Sequence, residues 1–545
     1  MKREHYQILA QRALAQRALS RRRVLQGGAA LSAASLLPKV ALADGHGSLR
    51  AEILKIPGVG VGSPTDADWQ KVGELCLGAT KETVQPGEFA GVELTFMGLN
   101  NQNLHNFLFR GFLKPWEAYT GATINWIDLA QADYNARLQQ SIATGTVDFD
   151  IIEMGAPFEG DVLGRGMASE MPGWVADLID MDDYVGYLKA PVGTWGGKTY
   201  RISIDGDCHT FAYRTDYFGE GSLTGRDVPK TWQEVDAISK ELIGKEDPLT
   251  GLSAHGYLDP LKGWGGFGFY FLENRASAYT KHPSDPAWLF DPDTMTPRVN
   301  NPGWVQAIQD VMDLIEAGAY PADQINADPG VTAFQQFLAG TGSMLMWWGD
   351  VGSNARTSDT SLVGDVVGFG INPGSDRVYN ANAGAWEETY NEAPNMAYIG
   401  WGVYVMARVD TDSKKQKAAW SAAAHLGGKD LSLWASAYPS GFQPYRNSHF
   451  NYDEWEEAGY DRAFVADYLG SNADSYNHPN PAIEPRIPGI FQYYSIAEDE
   501  LAKIYAGQYG SAQEGADAIA AAWENITDQI GREQQIALYK ASLGL

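Results

Sequence analysis

From Val92 the chain alternates apolar and polar residues, Val-Glu-Leu-Thr-Phe-Met, which predicts a strand ending in the polar turn Gly98-Leu99-Asn100-Asn101. Apolar residues then recur at helical spacing from Leu104 to Tyr119, and Gly121 supplies a stop. Ala122 to Ile127 reads as a second strand, Tyr134 to Ala143 as a helix, and Phe149 to Met154 as a third strand. Strands alternating with helices predict βαβ units and a parallel sheet, hence an α/β protein. Ligands of such sheets sit beyond the carboxyl ends of the strands, where Asn100, Asn101, Glu153 and Met154 fall. Residues 44–90 hold several Gly and Pro without a clear period and read as a leader. Residues 228–345 are mainly helical in pattern, with Thr231 as a cap and Glu234 three positions on. Residues 276–303, rich in Pro, Asp and Asn, read as a loop; 412–427 and 495–543 are again helical. There is no internal repeat.

The 545 residues exceed one ordinary core and predict two or three domains. The 17 Trp, 27 Tyr and 20 Phe would fill cores, and any surplus would suit a site for sugar-like ligands, because an aromatic face packs on C–H groups. Net charge is −27. Residues 1–43 carry eight Lys or Arg and one acid; the remainder has 33 basic against 67 acidic side chains, a net charge of −34. A surface of that sign repels nucleic acid and anionic lipid. Cys76 and Cys208 are the two cysteines, and the sequence leaves open whether they pair.

The N-terminus carries Ser20-Arg21-Arg22-Arg23-Val24-Leu25, a mildly apolar run from Gly27 to Leu37, and Ala41-Leu42-Ala43. This order resembles a twin-arginine export signal. It predicts a signal peptide over 1–43, cleavage near Ala43 and a periplasmic mature protein. No later run is long and apolar enough to span a bilayer.

Several segments occur in a telling order. Gly197-Lys198-Thr199-Tyr200 leads through a strand to Asp205-Gly206-Asp207 and then to Tyr213-Arg214-Thr215-Asp216-Tyr217-Phe218. Pro229-Lys230-Thr231-Trp232-Gln233-Glu234, the stretch Phe334–Met346, Gly400-Trp401-Gly402, Ala418-Ala419-Trp420, and Pro485-Arg486-Ile487-Pro488 before Tyr493-Tyr494 follow. Over roughly residues 92–540 this set resembles the family 1 extracellular solute-binding proteins of ABC importers, the maltose-binding-protein-like group that takes sugars and polyols. The resemblance implies a two-lobed periplasmic-binding-protein fold with an interlobe cleft and several hinge crossings. It implies a first lobe over 44–205 plus 349–400 and a second over 206–348 plus 401–545, with crossings near Asp205, Gly349 and Gly400. It implies a monomer that closes on a small polar ligand and docks on permease subunits. The ligand contacts it implies are Asn100, Asn101, Glu153, Asp205, Asp207, Trp264, Trp347, Trp348, Asp350, Trp401, Arg446 and Tyr494. Trp347 and Trp348 are adjacent in a strand, so one should face the cleft and the other the core.

Other chemistries are poorly represented. Gly263-Trp264-Gly265-Gly266-Phe267-Gly268 has the Gly-x-Gly-x-x-Gly spacing, but Pro260 and Lys262 precede it where a dinucleotide site needs a strand. The nine His show no zinc spacing, and neither a calcium loop nor a Gly-x-Ser-x-Gly elbow is present, so neither cofactor nor metal is expected. The rivals are an exported carbohydrate-active enzyme, which would need two carboxylates across a sugar bond, a cofactor-loaded oxidoreductase, and a sensory protein that presents its ligand to a receptor.

Overall fold

The computed structural model describes residues 52–54, 65–101, 104–263, 266–321, 324, 333–358, 360–438 and 441–545. Residues 1–43, where a signal peptide is expected, and Trp264 lie outside the described residues. In chain order the strands are β1 (Glu93–Asn101), β2 (Leu104–His105), β3 (Thr123–Leu129), β4 (Ile151–Gly155), β5 (Arg201–Ser203), β6 (His209–Arg214), β7 (His255–Tyr257), β8 (Gly342–Trp348), β9 (Val367–Gly370), β10 (Val378–Asn380), β11 (Ala385–Glu387) and β12 (Trp401–Val405).

They form two main sheets. In the first, β1 lies between β3 and β4, parallel to both, with Phe96 opposite Trp126 on one side and Ile151 on the other. β12 then runs antiparallel to β4 and β5, and β2 folds back on the end of β1. In the second sheet the order is β7-β8-β6-β9, with β6 antiparallel to β8 and β9. β10 and β11 form a separate hairpin.

The predicted βαβ start is present. The helix Asn106–Thr120 buries Leu108, Phe109, Phe112, Leu113 and Trp116 along one face and ends at Gly121, whose φ of 78° is the left-handed cap that glycine adopts without strain. Residues 66–83 are not an irregular leader. Thr65 and Asp68 make a reciprocal capping box that starts the helix Asp66–Leu75, and a second helix covers Gly78–Thr83. The first of these lies tightly on Asn106–Thr120: a Cβ on Gly111 would stand 2.4 Å from Cβ of Trp69. The loop expected over 276–303 is shorter, because the helix Phe267–Thr280, buried over its whole length, extends into it and Pro302–Glu316 begins within it. Thr231 caps the helix Trp232–Glu241 as expected, with its hydroxyl accepting from the Glu234 amide at 3.2 Å.

Sheet membership corrects the expected lobe boundaries. β9, within 349–400, pairs with β6 in the second sheet, whereas β12, within 401–545, pairs with β4 and β5 in the first. The helix Ser413–Leu426 follows β12 into the first lobe, where Trp116 Nε1 donates to Ser421 Oγ at 3.0 Å. The helix Arg462–Tyr476 returns to the second: the Phe369 amide donates to Asp467 at 2.9 Å. Because β8 and β9 share a sheet, the chain does not cross between sheets at Gly349. Short apolar strands carry no mark of which sheet they join, so the pattern alone could not place β9 and β12.

Candidate functional site

Three stretches run side by side between the sheets. Ile204–Cys208 joins β5 to β6, Tyr398–Gly400 enters β12, and 441–446 leaves the first lobe's helices. A Cβ on Gly400, whose φ is 104°, would stand 2.4 Å from the carbonyl oxygen of Asp205, and one on Gly206 would stand 2.4 Å from that of Pro444. Tyr398 and Ile399 also have positive φ, 71° and 57°. That conformation is strained for a β-branched residue and persists only where the surroundings impose it.

Carboxyl groups converge on these crossings. Glu153, in the middle of β4, is buried and bonds through Oε1 to Nδ1 of the buried His105, while its Oε2 has no partner. Asp205 Oδ1 accepts from the amides of Gly206 at 2.8 Å and Gln443 at 2.6 Å. Burial pushes the Asp205 carboxyl up to about 7, despite these bonds. Asp207 lies well above the carboxylate range, first through burial and then through the charges of Asp205, Asp350 and Glu484. Asp350, after β8, is raised by burial and by Asp205. Glu484 accepts from the Tyr270 hydroxyl at 2.6 Å, and burial pushes it up to about 8. The buried Glu273 of Phe267–Thr280 is raised by burial and by Glu484.

Aromatic rings border this acidic group. Trp401 meets His105 at 4.8 Å and Tyr398 at 4.9 Å between ring centroids. Tyr398 lies against the end of β4, where a Cβ on Gly155 would stand 2.2 Å from its ring; its hydroxyl has no partner. Tyr494 stands edge-on to Tyr270 at 5.1 Å. His209, opposite Trp348 in the sheet, is buried, held neutral by burial at about 3, and bonded to Asn274 through Nδ1 at 2.9 Å.

The expected site residues therefore separate. Glu153, Asp205, Asp207, Asp350 and Trp401 come together at the crossings, with Tyr494 beyond Glu273 and Glu484. Asn100 is exposed, paired in the β1–β2 turn, and Asn101 closes that turn through its backbone. Trp347 and Trp348 are both buried, with their rings 5.3 Å apart and Phe271 5.5 Å from each. Trp347 is sandwiched between Phe334 at 4.7 Å and Phe271 at 5.5 Å, while Trp348 edges His209 at 4.6 Å and donates to the carbonyl of Ala397 at 3.2 Å. Arg446 is turned into the first lobe. Its guanidinium donates to the carbonyls of Asp180 at 3.0 Å and Gly427 at 2.7 Å, over the Tyr184 ring, a geometry spent on tying down the 441–446 loop. His105, Tyr398 and Glu484 were not expected there. The one signal for them is proximity in sequence to Asn101, Gly400 and Pro485, which mark turns and crossings.

Cys76 and Cys208 are free thiols, and burial pushes Cys208 up to about 12. Among the described residues no three His, Cys, Asp or Glu are arranged to hold a metal ion, and no helix is long and apolar enough to cross a membrane.

A family model for bacterial extracellular solute-binding proteins matches residues 112–458. A lactose-binding protein of Rhizobium radiobacter is 30% identical over 138 residues; the match spans 24% of this chain and about a third (32%) of that protein. Among solved structures, an ABC transporter solute-binding protein of Agrobacterium radiobacter in complex with ribitol superposes with a TM-score of 0.63 at 20% identity, covering 80% of this chain and 99% of that one. One from Agrobacterium vitis with bound D-mannitol gives 0.59 at 19% identity over 81% and 99%. Maltose-bound MalE3 of T. maritima gives 0.58 at 15% identity over 80% and 100%. These likenesses establish the shared two-lobed fold.

Proposed function

This chain belongs to the bacterial extracellular solute-binding proteins, and on that premise we propose that it captures a small polyhydroxylated solute, a polyol or sugar, between its lobes and delivers it to an ABC permease. The observation that carries the reading is the grouping of buried carboxyls beside aromatic faces at the crossings. Hydroxyl groups donate to carboxylates, and the C–H faces of a polyol or pyranose pack on rings. The ribitol, mannitol and maltose held by proteins of the same fold support that class.

In this reading Glu153, Asp205, Asp207, Asp350 and Glu484 take hydroxyls, and Trp401 and Tyr398 supply the faces. Trp264 and Asn101 belong to the same proposal from their places in the sequence. The first lobe is built from about 93–205 and 401–450 and the second from about 206–400 and 451–545, following sheet membership. The lobes move about Ile204–Cys208 and Tyr398–Gly400 to admit the solute. The protein works as a monomer, is exported through its twin-arginine segment to the periplasm, and leaves its solute chemically unchanged.

A thermal-shift screen over sugars and polyols tests the reading, since a ligand that binds the native state alone raises Tm. Trp401→Ala, at a half-buried ring, is expected to weaken binding of the hit about 5- to 100-fold with a small change in the unliganded Tm. The buried Trp348 makes a contrast: Trp348→Ala is expected to cost about 3–5 kcal/mol of stability through lost packing. Turnover of the hit by pure protein, or a Trp401→Ala variant that binds normally, would count against the proposal.

A further inference from the structure

Asp205, Asp207, Asp350 and Glu484 form no ion pair with Lys or Arg among the described residues, and each acts electrostatically on another of the group. Glu153 joins them through its influence on Asp205, and among the described residues its one ion-pair partner is the buried His105. Other buried carboxyls do have cations, Glu159 with Arg201 and Arg486 and Asp247 with Arg214, while the buried Glu498 accepts three backbone amides instead. Carboxyls buried with no cation beside them are costly to charge and so keep their protons, and an anionic group on a ligand would meet the same cost there.

A second observation points at a missing partner. The Tyr398 hydroxyl is 1% exposed and has no hydrogen-bond partner, although it stands among Asp207, Glu484 and Glu153. Glu153 Oε2 is likewise buried without a donor. A ligand bringing O–H or N–H donors would satisfy both, whereas a phosphate or carboxylate would bring a charge that no cation of the group offsets. The chain beyond residue 43, at −34, extends the same bias to the approach.

We infer that the crossing cluster is a charge filter: it admits uncharged polyhydroxylated solutes and their amino derivatives, and rejects the phosphate esters and acids of the same carbon skeletons. This rests on the proposed polyol or sugar function and narrows its solute class.

The test is titration calorimetry of the whole mature protein with matched sets: ribitol and D-mannitol, each beside its terminal phosphate ester, its terminal carboxylic acid and its terminal amine. The alcohol is expected to bind at least 100-fold more tightly than the phosphate or the acid, with the amine equal to or tighter than the alcohol. Acid or phosphate binding within tenfold of the alcohol overturns the filter and leaves the polyol function standing. Binding of the amine alone overturns the polyol function and, with it, the filter's admission of uncharged solutes. Binding of none of the uncharged or cationic forms overturns both.

Discussion

Asp205 and Glu484 show how burial couples to stability. Their carboxyls sit at about 7 and about 8 in the folded protein, against ordinary values of 3.8 and 4.5. A raised acid pKa means that the native state holds a proton the unfolded chain has released. The stabilisation is present in acid and is lost as pH rises from about 4 through the folded values. His209 and His425 act in the opposite sense. Burial lowers them to about 3 and about 4, so their contribution is present above the ordinary 6.5 and is lost as pH falls below it. Between about pH 4.5 and 6.5 the two trends oppose each other; from 6.5 to 8 the carboxyls dominate, because Lys281, lowered by burial to about 8, adds stability only as pH rises through that value. The unliganded protein is therefore expected to lose stability between pH 6.5 and 8, by of the order of 1 kcal/mol per pH unit for each titrating group. Asp205→Asn should flatten that fall. A melting temperature constant across this window, or an unaltered slope in the variant, would refute the assignment.

The segment Glu484–Gly489 links the lobes in a way no single motif announces. Arg486 is buried and leads into the second-lobe helix Ile490–Tyr505, yet its partners belong to the first lobe. Nη1 meets Glu159 at 2.6 Å and the carbonyls of Val192 and Thr194 at 3.0 Å, and Nη2 meets that of Pro191 at 3.0 Å. Tyr404 donates to the other Glu159 oxygen at 2.6 Å. Removing one member strands the rest without water, so Arg486→Met should destabilise by about 3–5 kcal/mol, whereas Tyr404→Phe should cost about 1 kcal/mol. Chemical denaturation of the two variants compares them, and equal, small losses would contradict the network. In the sequence Pro485-Arg486-Ile487-Pro488 is visible as part of a family-like set, but its partner 327 positions earlier is not. The same limit applies throughout. Local signals gave β1, β3, β4 and the Thr231 cap, because alternation and capping act within a few residues. Pairing across long separations put β9 and β12 in the sheets opposite to expectation, and it brought Tyr398 and Glu484 to Asp207. Asp205 and Asp207, which the family resemblance implied, do lie on the stretch that joins the two sheets, between β5 and β6. Arg446 was misplaced because a loop position does not say which way a long side chain turns.

Neither lobe is a continuous piece of chain. The first sheet takes strands from 93–203 and 401–405, and the second takes strands from 209–370, with helices from 462 onward packed on it. One apolar cluster also runs through both, including Met97, Ile152 and Phe158 beside Phe211, Trp348 and Phe491. Phe158 of the first lobe stacks on Phe491 of the second at 4.6 Å. A two-lobed protein whose lobes were separate segments could melt in two steps, because each would keep its own covalent continuity. Here, unfolding the first sheet releases β12 and frees both ends of the second lobe's segments, so loop closure that the second lobe relies on is lost as well. The unliganded protein should therefore unfold in one calorimetric transition, with van't Hoff and calorimetric enthalpies equal. A polyol or sugar ligand should move that single transition upward as its concentration rises, rather than split it, since in the proposed site it would touch groups from both lobes at once. Two resolved transitions in the absence of ligand, or a ligand that raised only one of them, would show that the lobes are energetically independent and that the crossings act as linkers.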